Sequence, residues 1–155
     1  MDSSSLEKAY AAFLEMAGSG PFTAPANPQK WTAELNVAHM VVIDHLLAAT
    51  ISELLAGRTP NHDNRPSIRD AHLREIVAAA GDLPTLIALA RQSSAVVCAL
   101  VREVDAETAE RPFPILLQSG EKVVVDTTWS LATLVGAQAQ LHLPGHTRAI
   151  EALKA

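Results

Sequence analysis

Apolar positions recur three and four residues apart along most of this chain, the pattern of helices that bury one face. The first such stretch starts at Ser4 or Ser5, both good N-cap residues. It aligns Leu6, Tyr10, Phe13, Leu14 and Ala17 on one side before Gly18-Ser19-Gly20-Pro21 ends it. Three prolines make Pro21 to Lys30 irregular. Thr32 then caps a second helix, with Glu34 in its first turn and a stripe of Leu35, His39, Val42, Leu46 and Ala49 that ends before Gly57. The polar run Arg58 to Ser67, with two prolines, reads as a surface loop feeding a shorter helix from Ile68 to Ala80, closed by Gly81. Asp82 caps a third principal helix that tolerates Pro84 in its first turn and carries Leu86, Ile87, Leu89, Ala90, Val96, Val97, Leu100, Val101 and Val104 toward Asp105. Between Arg111 and Asp126 two apolar runs flank Ser119-Gly120, predicting a small hairpin or an extended loop. A last helix begins near Thr127 or Thr128 and runs toward Lys154, with Leu131, Val135, Gln138, His142, His146, Ala149 and Leu153 on one face.

Four principal helices, one short helix and modest loops predict an all-α, up-and-down four-helix bundle occupying residues 1–155 as a single domain. The composition agrees, since 48% hydrophobic residues supply a core and only 4% aromatics favour close helix packing over a strand sandwich. A net charge of −5 argues against a phosphate backbone as partner, and no stripe of Lys and Arg overrides it. No nucleic acid, then, is expected. Charged and polar residues interrupt every apolar run short of the roughly 18 residues that a membrane span needs, so no membrane partner is expected either. Cys98 is alone and forms no internal disulfide, and the N-terminal Met1-Asp2-Ser3-Ser4-Ser5 lacks a basic start followed by an apolar core. A cytoplasmic protein is the expectation.

Chemistry enters with the histidines. His142 and His146 stand four apart on the inward stripe of the last helix, a spacing that places both rings within reach of one cation. His39 lies on the inward stripe of another helix. Burying three imidazoles without partners is costly, and a shared metal satisfies all of them. The competing reading is three core histidines bonded to backbone or water. Pro144 removes a backbone donor between the pair, so the helix bends there or loses the bond to the Gln140 carbonyl.

The other polar candidates rank lower. Asp44, a conceivable general base, lies about 140° around its helix from His39, and His45 about 240° around. Solvated or capping roles fit His45, His62 and His72. Gln138, one turn before His142, is either a group that supports the site or a buried amide satisfied by a neighbouring helix. Trp31 and Trp129 are expected at helix starts as core anchors rather than pocket walls. Cys98 is a small core residue with no cation beside it in sequence.

Two segments carry a resemblance. Trp31-Thr32-Ala33-Glu34 leading to Ala38-His39, and His142-Leu-Pro-Gly-His146-Thr-Arg-Ala-Ile150, resemble the metal-binding segments of the DinB/YfiT-like superfamily. Gly145 stands where many members carry a further histidine, and Ala149 where many carry Gln. The resemblance implies a four-helix bundle with His39, His142 and His146 as ligands of a divalent metal ion, zinc or nickel, with a position left open. It also implies a metal-dependent S-transferase or isomerase that uses a low-molecular-weight thiol, mycothiol or bacillithiol, as cosubstrate of a small-molecule substrate, and a homodimer through helix packing. A metal-dependent hydrolase and a non-catalytic, stress-related metal or small-molecule binder are the alternatives. The catalytic and cosubstrate-binding residues are left unassigned.

Overall fold

The structure, a computed structural model, describes residues 1–155. Its helices are α1 (Ser4–Ala17), α2 (Ala33–Leu55), α3 (Asp70–Ala80), α4 (Leu83–Glu103), α5 (Ala106–Glu110), α6 (Leu131–Ala137) and α7 (Leu143–Glu151). The strands are β1 (His62–Asp63), β2 (Pro112–Ser119) and β3 (Lys122–Ser130). The caps follow the sequence: Thr32 accepts from the Leu35 amide at 3.3 Å and Asp82 from the Thr85 amide at 2.8 Å.

Helix α2 is the axis of the molecule. It packs most extensively on α4 and also meets α3, α7 and β1. Every residue from Leu35 to Asp44 is therefore buried, wider than the single stripe its periodicity predicts. Helices α2 and α4 each contain an 18-residue window apolar enough to cross a membrane by length and composition, which corrects the expectation that no run is long enough. The α2 window is 72% buried within the protein, where its hydropathy serves the core, while that of α4 is 39% buried.

The expected all-α four-helix bundle is corrected by a three-stranded mixed sheet in the order β1-β2-β3. Strand β1 runs parallel to β2 in the register His62 to Ile115, and β2 runs antiparallel to β3 from Pro112 opposite Ser130 to Ser119 opposite Lys122. The hairpin forms because β2 alternates, with Phe113 and Ile115 buried between exposed Pro112 and Pro114, and because Val123-Val124-Val125 and Thr127-Thr128 favour the pleat. Gly120, at φ +56°, supplies the left-handed turn. Pairing with β2 carries β3 through Thr127 and Thr128, so the last helix starts only at Leu131, where Ser130 caps it by accepting from the Thr133 amide.

Two further expectations change. The run from Arg58 to Ser67 is not simply a surface loop, since it contains β1 and a 3-10 turn (Arg65–Ile68), and His62, Asn64 and Ser67 are buried. Asn64 extends the strand pairing with its side chain, accepting from the Gln118 amide at 2.7 Å and donating to the Gln118 carbonyl at 3.0 Å. A two-residue strand is too short to show a period, and its pairing is created by β2 rather than by its own pattern. The last helix, expected to bend or lose a hydrogen bond at Pro144, is interrupted earlier by a π-helical turn (Gln138–His142), in which the Leu143 amide reaches back five residues to the Gln138 carbonyl. Pro144 lies just beyond it in the first turn of α7, so its missing N–H falls where the ladder already changes step.

Candidate metal centre

His39 comes from the middle of α2, His142 from the end of the π-helical turn and His146 from the second turn of α7. The elements bring all three predicted ligands together, with one ring nitrogen from each inside a group that spans no more than 4.8 Å. Ring centroids lie 5.1 Å apart for His39 and His142, 4.7 Å for His39 and His146, and 4.6 Å for His142 and His146. The helical i, i+4 spacing thus survives the π turn, because the irregularity ends at His142.

Hydrogen bonds determine which nitrogen each ring offers. His39 Nδ1 lies 2.7 Å from the Ser67 carbonyl, which only accepts, so Nδ1 carries the proton and Nε2 presents a lone pair. His146 Nδ1 lies 2.7 Å from Asn36 Oδ1, and the Asn36 amide nitrogen donates to the Thr32 carbonyl at 2.8 Å, which keeps the amide oxygen toward the ring. His146 Nε2 is likewise a lone pair. His142 Nε2 stands 3.0 Å from His39 Nε2, while His142 Nδ1 is buried without a partner.

Two imidazole lone pairs at 3.0 Å repel unless a proton or a cation lies between them. With a proton there, His142 donates to His39 and leaves the His146 Nε2 lone pair without a hydrogen bond inside the protein. A cation is satisfied by all three lone pairs together, and imidazole donors suit zinc and nickel. A shortest separation of 3.0 Å, within a group no wider than 4.8 Å, suits the roughly 3.3 Å edge of a tetrahedral site built from zinc–nitrogen bonds of 2.0–2.1 Å. The three residues fit a divalent ion.

Burial keeps these rings neutral. It pushes His39 down to about 4, His142 to about 3 and His146 to about 2, the last two further lowered by neighbouring imidazoles. Neutral imidazole is the ligating form.

Trp31 closes one side of the centre. Its ring lies 4.9 Å from His39 and 6.1 Å from His146, nearly parallel to the latter, and its indole N–H donates to Asp70 at 2.9 Å. Beyond it a cavity of about 990 Å³ opens over the three histidines, with Lys30 and Gln118 also on its lining and Asp70 its one carboxylate. Asp70 is engaged through both oxygens, by Trp31 and by Arg74 at 3.1 Å.

The remaining candidates separate. Asp44 is fully buried on the other side of α2, where it accepts from Tyr10 at 2.5 Å and Ser93 at 2.6 Å, and burial raises it to about 7. Gln138 is buried, its amide donating toward Met40 Sδ at 3.4 Å. Cys98 is buried and pushed up to about 11 by desolvation, as a core thiol should be. His45 and His72 are exposed, as expected, but His62 is 4% exposed and bonded to Thr50, against the expectation of a solvated role. Trp31 walls the centre rather than merely anchoring the core, and Trp129 lies in β3 instead of at a helix start. Asn36 was legible in principle, three residues before His39 on the same helical face. The Ser67 carbonyl carries no signal in sequence.

Comparison of the chain with models of known protein families, with curated proteins and with solved structures finds no match to any of them.

Proposed function

We propose that the three-histidine centre holds one divalent cation, zinc or nickel, and that the protein is a metal-dependent S-transferase or isomerase using a low-molecular-weight thiol. The observation that carries the metal reading is the convergence of three neutral imidazoles whose facing lone pairs a single cation satisfies. When bound, such an ion lowers the pKa of a thiol or water at its open position toward neutrality. The chain's own part is orientation: Ser67 and Asn36 hold two rings with Nε2 inward, and Trp31 shields one side from solvent.

Thiol chemistry is favoured over hydrolysis by the resemblance of the Trp31 and His142 segments to DinB/YfiT-like proteins and by the state of Asp70. Hydrolysis asks for a base beside the attacking water, and the one carboxylate lining the cavity already accepts from an indole and a guanidinium.

Elemental analysis of protein purified without a metal-affinity tag should return about one ion per chain, and His142→Ala should lose it. Retention of metal by His142→Ala would overturn the ligand set. Incubation with a haloarene and mycothiol or bacillithiol should give metal-dependent conjugation. Hydrolysis of an activated ester without conjugation would replace the thiol reading, and metal binding with neither reaction would leave a binding protein.

A further inference from the structure

A second cavity, of about 310 Å³, lies on the other flank of His142. Its walls are mainly Ile43, Leu47, Leu117, Trp129 and Leu134, and Asn64, Leu117, Leu141 and His142 line both this cavity and the one over the histidine centre. The two spaces therefore adjoin at the metal-ligand ring. Leu141, in the π-helical turn, sits between them at 72% exposure, and with Leu117 it forms the apolar half of the shared rim.

One polar group in this cavity is set apart. His62 Nδ1 lies 2.9 Å from the Thr50 hydroxyl, which itself lies 2.9 Å from the Leu46 carbonyl. Both contacts are satisfied only if Thr50 donates to Leu46 and accepts from His62 Nδ1–H. That relay fixes the tautomer and leaves His62 Nε2 a lone pair with no hydrogen bond inside the protein. Among the other polar side chains of the lining, Asn64 bridges to Gln118, Gln138 donates toward Met40 and His142 Nε2 faces His39, while the Trp129 indole N–H, which can only donate, and the unpartnered His142 Nδ1 also border the space. Burial pushes His62 down to about 4, so the ring stays a neutral acceptor at physiological pH.

We infer that this cavity is the seat of the second substrate, a small, largely apolar molecule of the size of a substituted aromatic ring, whose hydroxyl or amine hydrogen is accepted by His62 Nε2. An apolar cavity of about 150 Å³ holds benzene, so the space here admits a ring with substituents. A fixed acceptor among mainly apolar walls selects for a donor, because the unpaired nitrogen is left desolvated when a ligand without one displaces water. The assignment rests on the proposed thiol chemistry for its meaning as a substrate site, with the wide cavity left to the polar cosubstrate, but the binding it requires is measurable without turnover.

Isothermal titration calorimetry of the full-length protein with p-cresol and with toluene tests it. Wild type should bind p-cresol about tenfold more tightly than toluene, from one buried neutral hydrogen bond made or left unmade. His62→Leu should abolish that preference, Thr50→Val should weaken it by releasing the tautomer, and Leu134→Trp should block both ligands by filling the cavity. Equal affinity of wild type for the two ligands, no binding of either, or an undiminished preference in His62→Leu would overturn the assignment, and the wild-type comparison needs no variant to fold. Metal content measured on the same samples keeps the two readings apart. Cresol binding with the predicted preference in protein that takes up no metal sinks the metal reading alone, and stoichiometric metal without cresol binding sinks this one alone.

Discussion

Asn36 offers the sharpest test of the centre, because it touches one ligand without being one. Its side-chain oxygen accepts from His146 Nδ1–H, and its amide nitrogen is held by the Thr32 carbonyl. Replacing it with alanine leaves all three imidazoles in place but frees the His146 ring to turn and to change tautomer. Loss of such a partner weakens metal affinity by about 10–100-fold. The thermal consequence can be worked out from chain length. At about 2.1 cal/mol/K per residue, 155 residues give an unfolding entropy near 0.33 kcal/mol/K. A cation at 100 times its Kd stabilises the native state by about 2.7 kcal/mol, so it should raise Tm by about 8 °C. In Asn36→Ala the same concentration stands at only one to ten times Kd and contributes about 0.4–1.4 kcal/mol, a rise of about 1–4 °C. Differential scanning fluorimetry on metal-stripped protein, titrated with zinc and then nickel, reads both shifts. The variant's apo Tm is also expected to fall with the lost Thr32 contact, so the comparison is between shifts. An undiminished shift in Asn36→Ala would refute the claim that this amide orients His146 toward an ion.

Other consequences follow from burial and capping. Metal-free stability should decline as pH falls below about 6.5. His39, His62, His142 and His146 are neutral in the fold down to about 4, 4, 3 and 2, whereas the unfolded chain takes up protons at 6.5. Asp44 works in the opposite sense, protonated in the fold up to about 7 but ionised above 3.8 once unfolded, so Asp44→Asn should steepen the acid loss. Denaturant melts across that pH range check both, and a flat profile would contradict the buried neutral imidazoles. Phe113→Ala, at a position 1% exposed where β2 meets the core, should cost about 3–5 kcal/mol in urea unfolding. Asp82→Ala should lower the urea midpoint by leaving the Thr85 amide without its cap, with no change in metal content.

Local chemistry made much of this protein readable from residues alone. Periodicity located α1, whose N-cap is Ser3 rather than the expected Ser4 or Ser5, and periodicity with capping located α2 and α4, because Thr32 and Asp82 act on amides three residues away and the apolar repeats need no distant partner. The same reasoning marked His39, His142 and His146, since helical phase alone put each on an inward face. The sheet escaped it. Strand β1 has two residues, and β3 persists through Thr128 only because β2 lies beside it, so both depend on contacts far along the chain. Those pairings brought His62 into the interior beside Thr50. Which nitrogen each histidine presents was likewise beyond sequence, because it is decided by the Ser67 carbonyl, the Asn36 amide and the Thr50 hydroxyl. Sequence determined which residue types face inward. Only tertiary structure decided where their lone pairs point, since a tautomer is set by the partner across the gap and not by neighbours in the chain.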